Sequence, residues 1–282
     1  MTFSDPEIYF HVGLGKAAST YLQKRVFPAF TDIHYIHRNL YARAPSVIDQ
    51  GRHPRYLVSR EFGRNFESKV ARFAGRYPRS RPIIVLRRHD SWIASQYRRY
   101  VKNGGSLPLT GFIDIEDDAG VWRRSELDFY ARLKILERCL KRPPRVFFYE
   151  DLQRDPMEFI RRFARCVGAR VPGDGVSLLP KHRSYDESPL ILLRTFNREL
   201  GRSLVADDLS PRVRWWRHRL TMFASYAILH PARLLPARFI PRESLIDDAA
   251  LERIRVYGEA DWQRCIDYAR TSAAATQSRQ AT

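Results

Sequence analysis

The reading of this chain starts from His11-Val12-Gly13-Leu14-Gly15-Lys16-Ala17-Ala18-Ser19-Thr20-Tyr21-Leu22-Gln23. The apolar run just ahead of the glycines, Glu7–Val12 (EIYFHV), predicts a short buried strand. Gly13-Leu14-Gly15-Lys16 predicts a turn. From Ser19 the apolar positions Tyr21, Leu22, Val26 and Phe30 predict an amphipathic helical stretch broken at Pro28. A strand that passes through Gly-x-Gly-Lys into a helix is a geometry for holding phosphate. Glycines permit the tight turn, the helix N-terminus and consecutive N–H groups supply partial positive charge, and Lys16 adds a full one. The candidate phosphate ligands are therefore Gly13, Gly15, Lys16, Ala17, Ala18, Ser19 and Thr20. A Mg²⁺-dependent nucleoside triphosphatase or nucleotide kinase needs Gly-x-x-x-x-Gly-Lys-[Ser/Thr]. Ala17 stands where the metal-holding hydroxyl would be, and the first glycine lies too close. Phosphate binding survives that mismatch. A P-loop-type nucleotide kinase is the disfavoured alternative, and no metal site is expected.

Strand and helix signals go on alternating along the chain. Arg55–Ser59 (RYLVS) predicts a second strand, and Phe66–Tyr77 a helix with Val70, Phe73, Ala74 and Tyr77 on its apolar side. Pro82–Leu86 (PIIVL) is the cleanest strand. Asp90 is the expected N-cap of the next helix, whose core stripe is Ile93, Tyr97, Tyr100 and Val101 and which Asn103-Gly104-Gly105 ends. Trp122–Leu140 predicts a long helix with Phe129, Leu133, Leu136 and Leu140 on one face, and Arg145–Tyr149 (RVFFY) a further strand. Asp155 then caps a helix with Pro156 at its first position and Gly168 at its end. Such alternation implies an α/β fold, a P-loop-like parallel sheet flanked by helices. The expected organisation is a core over 1–210, a basic-aromatic helical extension of the same domain over 211–270, and a disordered tail over 271–282.

The 282 residues include 49 Lys and Arg against 31 Asp and Glu, a formal charge of +18 with a pI near 10.2. Such a surface attracts anions such as nucleic acid, an anionic membrane, an acidic glycan or a phosphorylated cosubstrate, although an arginine-rich composition alone would also produce the count. Cys139, Cys166 and Cys265 lie far apart with no metal-ligand spacing, and reduced structural thiols are expected. Met1–Pro6 has neither a basic nor an apolar leader region, and no run reaches the roughly 18 apolar residues of a spanning helix. A cytoplasmic protein, at most peripheral to a membrane, is expected.

HVGLGKAASTYLQ resembles the donor loop of the sulfotransferase family, whose usual bacterial form is His-[Ile/Val]-Gly-x-x-Lys-Thr-Gly-Thr-Thr-x-Leu-Gln. His11, Val12, Gly13, Lys16, Thr20, Leu22 and Gln23 match, Ser19 replaces Thr, and Ala17 and Ala18 depart from Thr-Gly. A second family motif, Arg at a strand end and Ser eight positions later, is matched by Arg87 and Ser95. Arg88-His89 replaces the usual Asn-Pro, which resembles a bacterial, carbohydrate-sulfating branch. Third, Tyr149-Glu150-Asp151-Leu152, followed by Asp155-Pro156, resembles the family's Tyr-Glu-Asp-Leu-x-x-Asp-Pro. The late segment 181–200 is similar to the family's closing loop and helix, with Lys181, Arg183 and Ser184 over the nucleotide. The resemblance spans about residues 8–200.

That resemblance implies 3′-phosphoadenosine 5′-phosphosulfate (PAPS) as cosubstrate and its bisphosphate, PAP, as product. Lys16 would face the bridging oxygen, and Arg87 with Ser95 would grip the 3′-phosphate through charge-assisted and hydroxyl hydrogen bonds. The chemistry implied is in-line sulfuryl transfer without a metal, with an acidic or imidazole general base. Two residues compete for that role. His37 lies near where carbohydrate sulfotransferases carry theirs, and Glu61 follows the second strand at the edge where ligands approach such sheets. His34 is a lesser candidate, and His11 is expected to be buried in its strand. The family implies a carbohydrate or glycolipid acceptor. The segment Arg212–Arg242, with Trp215 and Trp216, would be a glycan cover, a membrane-facing surface or an ordinary helical lobe. A non-catalytic nucleic-acid-binding protein is the other alternative. The chain lacks the signature modules for it, so no nucleic-acid partner is expected.

Overall fold

The computed structural model describes residues 3–63, 65–172, 187–203, 216 and 244–280. Five strands, β1 (Glu7–Gly13), β2 (His34–Ile36), β3 (Arg55–Glu61), β4 (Arg81–Leu86) and β5 (Arg145–Phe148), form one parallel sheet in the order β2-β3-β1-β4-β5. The strand after β1 lies at the sheet edge, and β4 returns to the other side of β1. The carboxyl end of β1 therefore sits between those of β3 and β4. In register, Gly13 is opposite Glu61 on one side and Val85 on the other.

Helices flank the sheet. Among the described residues the helices in chain order are α1 (Ser19–Tyr21), α2 (Ala44–Ile48), α3 (Phe66–Arg76), α4 (His89–Lys102), α5 (Leu109–Phe112), α6 (Phe129–Leu140), α7 (Tyr149–Arg154), α8 (Pro156–Cys166), α9 (Glu187–Ser203) and α10 (Asp248–Gln280). Two neighbours on β1 show how both faces are covered, because successive strand side chains point to opposite sides. Phe10 stacks on Phe73 of α3 with ring centroids 3.8 Å apart and meets Phe62 edge-on. His11 faces the other way, edge-on to Phe27 and to Phe163 of α8. Phe10, Phe27 and Phe163 are all fully buried. Among the described residues, no helix is long and apolar enough to cross a membrane.

The chain divides into two compact units. One comprises Met1–Arg88, Asp128–Lys181 and Glu259–Thr282, and contains the sheet. The other comprises His89–Leu127 and His182–Gly258. Within the second unit, Asn197 of α9 is buried and donates from Nδ2 to the carbonyls of Val101 (2.9 Å) and Gly105 (3.0 Å), tying α9 to the end of α4. Arg98 pairs with Glu187 at 3.1 Å. Gly104, at φ 99°, takes the chain out of α4 as the Asn-Gly-Gly sequence requires.

Several element bounds differ from the sequence expectation. The long helix over Trp122–Leu140 is instead a 3₁₀ turn, Arg124–Leu127, followed by α6, because the Asp128 carboxylate accepts from the Ala131 N–H and starts a new helix. Asp90 is not the cap of α4. The helix begins at His89, whose Nε2 lies 2.8 Å from the Leu127 carbonyl, so Asp90 falls in the first turn where it complements the helix dipole. The last helix runs on to Gln280 where an unstructured tail was expected from Thr271, in keeping with the helix propensity of Ala273-Ala274-Ala275. Strand β2 was not anticipated. Conversely, Asp155 caps α8 as expected, accepting from the Glu158 N–H at 3.0 Å.

Candidate functional site

At the end of β1 the backbone enters a turn that glycine makes possible. A Cβ on Gly13 would fall 2.6 Å from Ser19 Oγ and 3.0 Å from Glu61 Cγ, so only glycine lets the turn fold back against the helix and β3. Lys16 and Ala18 then adopt left-handed conformations, with φ 71° and 59°. The turn is closed from inside. The Ala17 N–H donates to the Leu14 carbonyl at 3.2 Å, and the Ser19 hydroxyl donates to the same oxygen at 3.0 Å. Ala17 and Ser19 are buried and Lys16 is exposed. Two of the expected phosphate ligands, the Ala17 amide and the Ser19 hydroxyl, thus serve the shape of the turn in this structure.

Beneath the turn lies a buried polar link. His11 Nδ1 is 2.8 Å from Ser59 Oγ, which also accepts from Gln23 Nε2 at 2.9 Å. His11 and Ser59 are register partners on β1 and β3, so the link ties both strands to the helix leaving the turn. All three residues are fully buried. Burial, with no compensating charge, pushes the His11 imidazole down to about 3. His11 is therefore a neutral strut, in its strand as expected.

On either side of the turn stand the next strands' ends. Glu61, the last residue of β3, is half-buried and approaches the Thr20 hydroxyl at 3.5 Å. Arg87 follows β4 directly and donates from Nη1 to the Lys16 carbonyl at 3.1 Å. Its guanidinium lies over the Tyr149 ring, 4.4 Å from the centroid. The sequence places Tyr149 at the head of the Tyr-Glu-Asp-Leu motif but gives it no contact with Arg87. It begins α7 immediately beyond β5, and its signal was its place at the end of the strand that neighbours β4. Glu150 Oε1 accepts the Arg88 N–H at 2.9 Å and so holds the chain after Arg87.

The structure gathers Gly13, Gly15, Lys16, Ala17, Ala18, Ser19, Thr20, Glu61 and Arg87 at one edge of the sheet. His37 lies further along the same edge, apart from the turn. His37 follows β2, two strands away from β1, and its Nδ1 accepts from the Asn39 N–H at 3.3 Å as the cap of a 3₁₀ turn. Ser95 lies half-buried on α4, within the second unit. Arg183 and Ser184, with Lys181, Trp215 and most of Arg212–Arg242, lie outside the described residues. The three thiols are held above their ordinary range by burial, Cys166 to about 11, so none is poised as a nucleophile.

No protein-family model and no curated protein matches this chain. Among solved structures, a sulfotransferase from Alicyclobacillus acidocaldarius is similar over 73% of this chain and 98% of its own, with a TM-score of 0.48 and 16% sequence identity.

Proposed function

We propose that this chain is a sulfotransferase that passes the sulfuryl group of PAPS to a hydroxyl or amine of an acceptor, a carbohydrate or glycolipid. The observation that carries the reading is the meeting of Lys16 and Arg87, 71 residues apart in sequence, at the carboxyl edge of the sheet and on one glycine-dependent turn. That edge is where open α/β sheets take ligands. A donor with phosphate at two ends needs two cations, and the Lys16 ammonium and the Arg87 guanidinium supply them. The latter is held by a carbonyl and an aromatic face. For Ser95, Arg183 and Ser184 the assignment rests on the sequence.

In this reading a bond forms between the acceptor oxygen or nitrogen and sulfur, while the bond from sulfur to the 5′-phosphate oxygen breaks. Lys16 meets the charge that develops on the leaving phosphate. The acceptor's proton goes to a carboxylate or imidazole, and the geometry favours Glu61, which stands opposite Gly13 in the sheet register. His37 is engaged as a turn cap further along the edge. The in-line arrangement asks the protein for positioning and charge rather than for covalent chemistry.

Thermal unfolding with three ligands tests the donor class. The bisphosphoadenosine product should raise stability, by about 2.7 kcal/mol at a hundredfold excess over its Kd, while ATP–Mg²⁺ and duplex DNA leave it unchanged. Lys16→Ala should abolish transfer of labelled sulfate with the melting temperature intact. Normal turnover in that variant would sink the mechanism.

A further inference from the structure

The amino-terminal edge of the same sheet, at the opposite end of the strands from the Gly13 turn, carries a cavity of about 460 Å³. Four guanidiniums line it. Arg76 ends α3, Arg79 lies in the turn that follows, Arg81 opens β4, and Arg142 precedes β5. Only two carboxylates line it with them. Asp5 pairs with Arg79 at 3.2 Å. Glu7 is shared, pairing with Arg81 at 2.6 Å and with Arg55 at 3.0 Å. Arg142 is exposed and has no ion pair among the described residues. Arg76 pairs with Asp49, a carboxylate outside the lining, so Arg142 and the Glu7 that Arg81 and Arg55 share are what leave the wall net cationic.

A second observation points to a ligand. Ser80, also in the lining, is 1% exposed, and its hydroxyl has no hydrogen-bond partner. Its amide is spent on the Tyr77 carbonyl at 3.1 Å. A desolvated hydroxyl with nothing to bond is unfavourable, and native structures rarely keep one without a use. Ser80 sits between Arg79 and Arg81 in the lining, and an oxyanion drawn in by those arginines would bring the acceptor oxygen that its hydroxyl lacks. Guanidinium forks fit the oxygens of phosphate and sulfate esters, two bonds at a time. The cavity is larger than a bare oxyanion requires and falls in the range of small-molecule sites. Tyr77 and Pro78 give it an apolar side on which the organic part of an ester could rest.

We propose that this cavity is a second anion site, separate from the Gly13 turn, that takes a phosphate or sulfate ester of about monosaccharide size. Calorimetric titration of the full chain with glucose 6-phosphate, glucose 6-sulfate and glucose tests it. One equivalent of at least one ester should bind and glucose should not. Which ester binds names the anion. Arg142→Ala, an exposed change that leaves the fold alone, should weaken binding about tenfold, as expected for loss of one charged hydrogen-bonding partner. Ser80→Ala should weaken it several-fold without lowering the melting temperature, because the removed hydroxyl has no partner in the free protein. Binding should persist in Lys16→Ala, which separates this cavity from the turn. The proposal is overturned if neither ester gives saturable heat, if glucose binds as well as the esters, if Arg142→Ala binds unchanged, or if Lys16→Ala abolishes binding.

Discussion

Ala18 holds a φ of 59° within the turn, a conformation in which a Cβ crowds the following carbonyl at a cost of about 1–2 kcal/mol. The family pattern that the turn resembles has glycine at this position. Ala18→Gly relieves the crowding and gives back part of the gain through the greater freedom of the unfolded chain, about 0.4–1 kcal/mol. The expected outcome is a net stabilisation of roughly 0.5–1 kcal/mol, read as a melting temperature higher by roughly 2 °C. A lower melting temperature would mean that the Ala18 methyl packs more favourably than its backbone is strained. A second residue-scale prediction separates the two candidate bases. Glu61→Gln should lower turnover at least about 100-fold while the product still binds, and His37→Gln should change it little. The reverse ranking would move the proton acceptor to β2. Much of this edge was legible in the sequence, because Gly13, Lys16 and Arg87 each sit where a strand signal stops. What the sequence could not show is that the Ala17 amide and the Ser19 hydroxyl are both taken by the Leu14 carbonyl. Residue types reveal which groups can donate, and only the closed turn reveals which carbonyl they reach.

At the scale of elements, the start of α6 is held from far away in sequence. The Asp261 carboxylate on α10 is 8% exposed and accepts the Phe129 N–H at 3.0 Å and the Tyr130 N–H at 3.1 Å. Together with Asp128 it satisfies the donors that open the helix, and it places negative charge at the positive end of the dipole. Asp261→Ala leaves those N–H groups desolvated and unpaired. Urea denaturation should show a loss of about 2–4 kcal/mol, with Asp261→Asn, which keeps one acceptor, losing less. A loss under about 0.5 kcal/mol would mean that water replaces the carboxylate. The same feature shows where sequence reading stops. β1, β3, β4 and β5 were legible because each is an apolar run closed by a charged or turn residue. β2 was not. It is three residues long, His-Tyr-Ile, and is a strand only because β3 offers it a register, Ile36 opposite Val58. The break before α6 was equally hidden. The apolar spacing from Trp122 to Leu140 is continuous in helical phase, and a polar Asp128 on the outer face of one long helix looks the same in sequence as a cap between two.

For the molecule as a whole, the net charge of +18 makes the acid side the vulnerable one. The order in which groups give way there follows from their surroundings. His11 is fully buried and held near 3, far below the ordinary imidazole value of 6.5. Between those two values the unfolded chain carries a proton that the folded chain refuses, so stability falls as pH falls below about 6.5. This one group contributes a slope of up to about 1.4 kcal/mol per pH unit. His34 is shifted the same way, by burial and by the neighbouring His53. The carboxylates act later. Asp32, held low by its hydrogen bond to Arg170, and Asp114, held low by the Asp117 and Glu116 amides, stabilise the fold above their ordinary value of 3.8. That contribution is lost only as pH drops through their lowered values. The window from about 6.5 to 4 therefore belongs to the imidazoles. Melting temperatures measured across it should fall steadily for the wild type. In His11→Asn the fall should be shallower, from a lower starting value at pH 7 because the link to Ser59 is weakened, and His34→Gln should flatten it less. A His11→Asn profile parallel to the wild type would show that His11 is not the group that refuses the proton. The acid lability of the fold would then come from charge repulsion over the whole surface, and added salt, which screens surface charges but not a buried imidazole, would remove it.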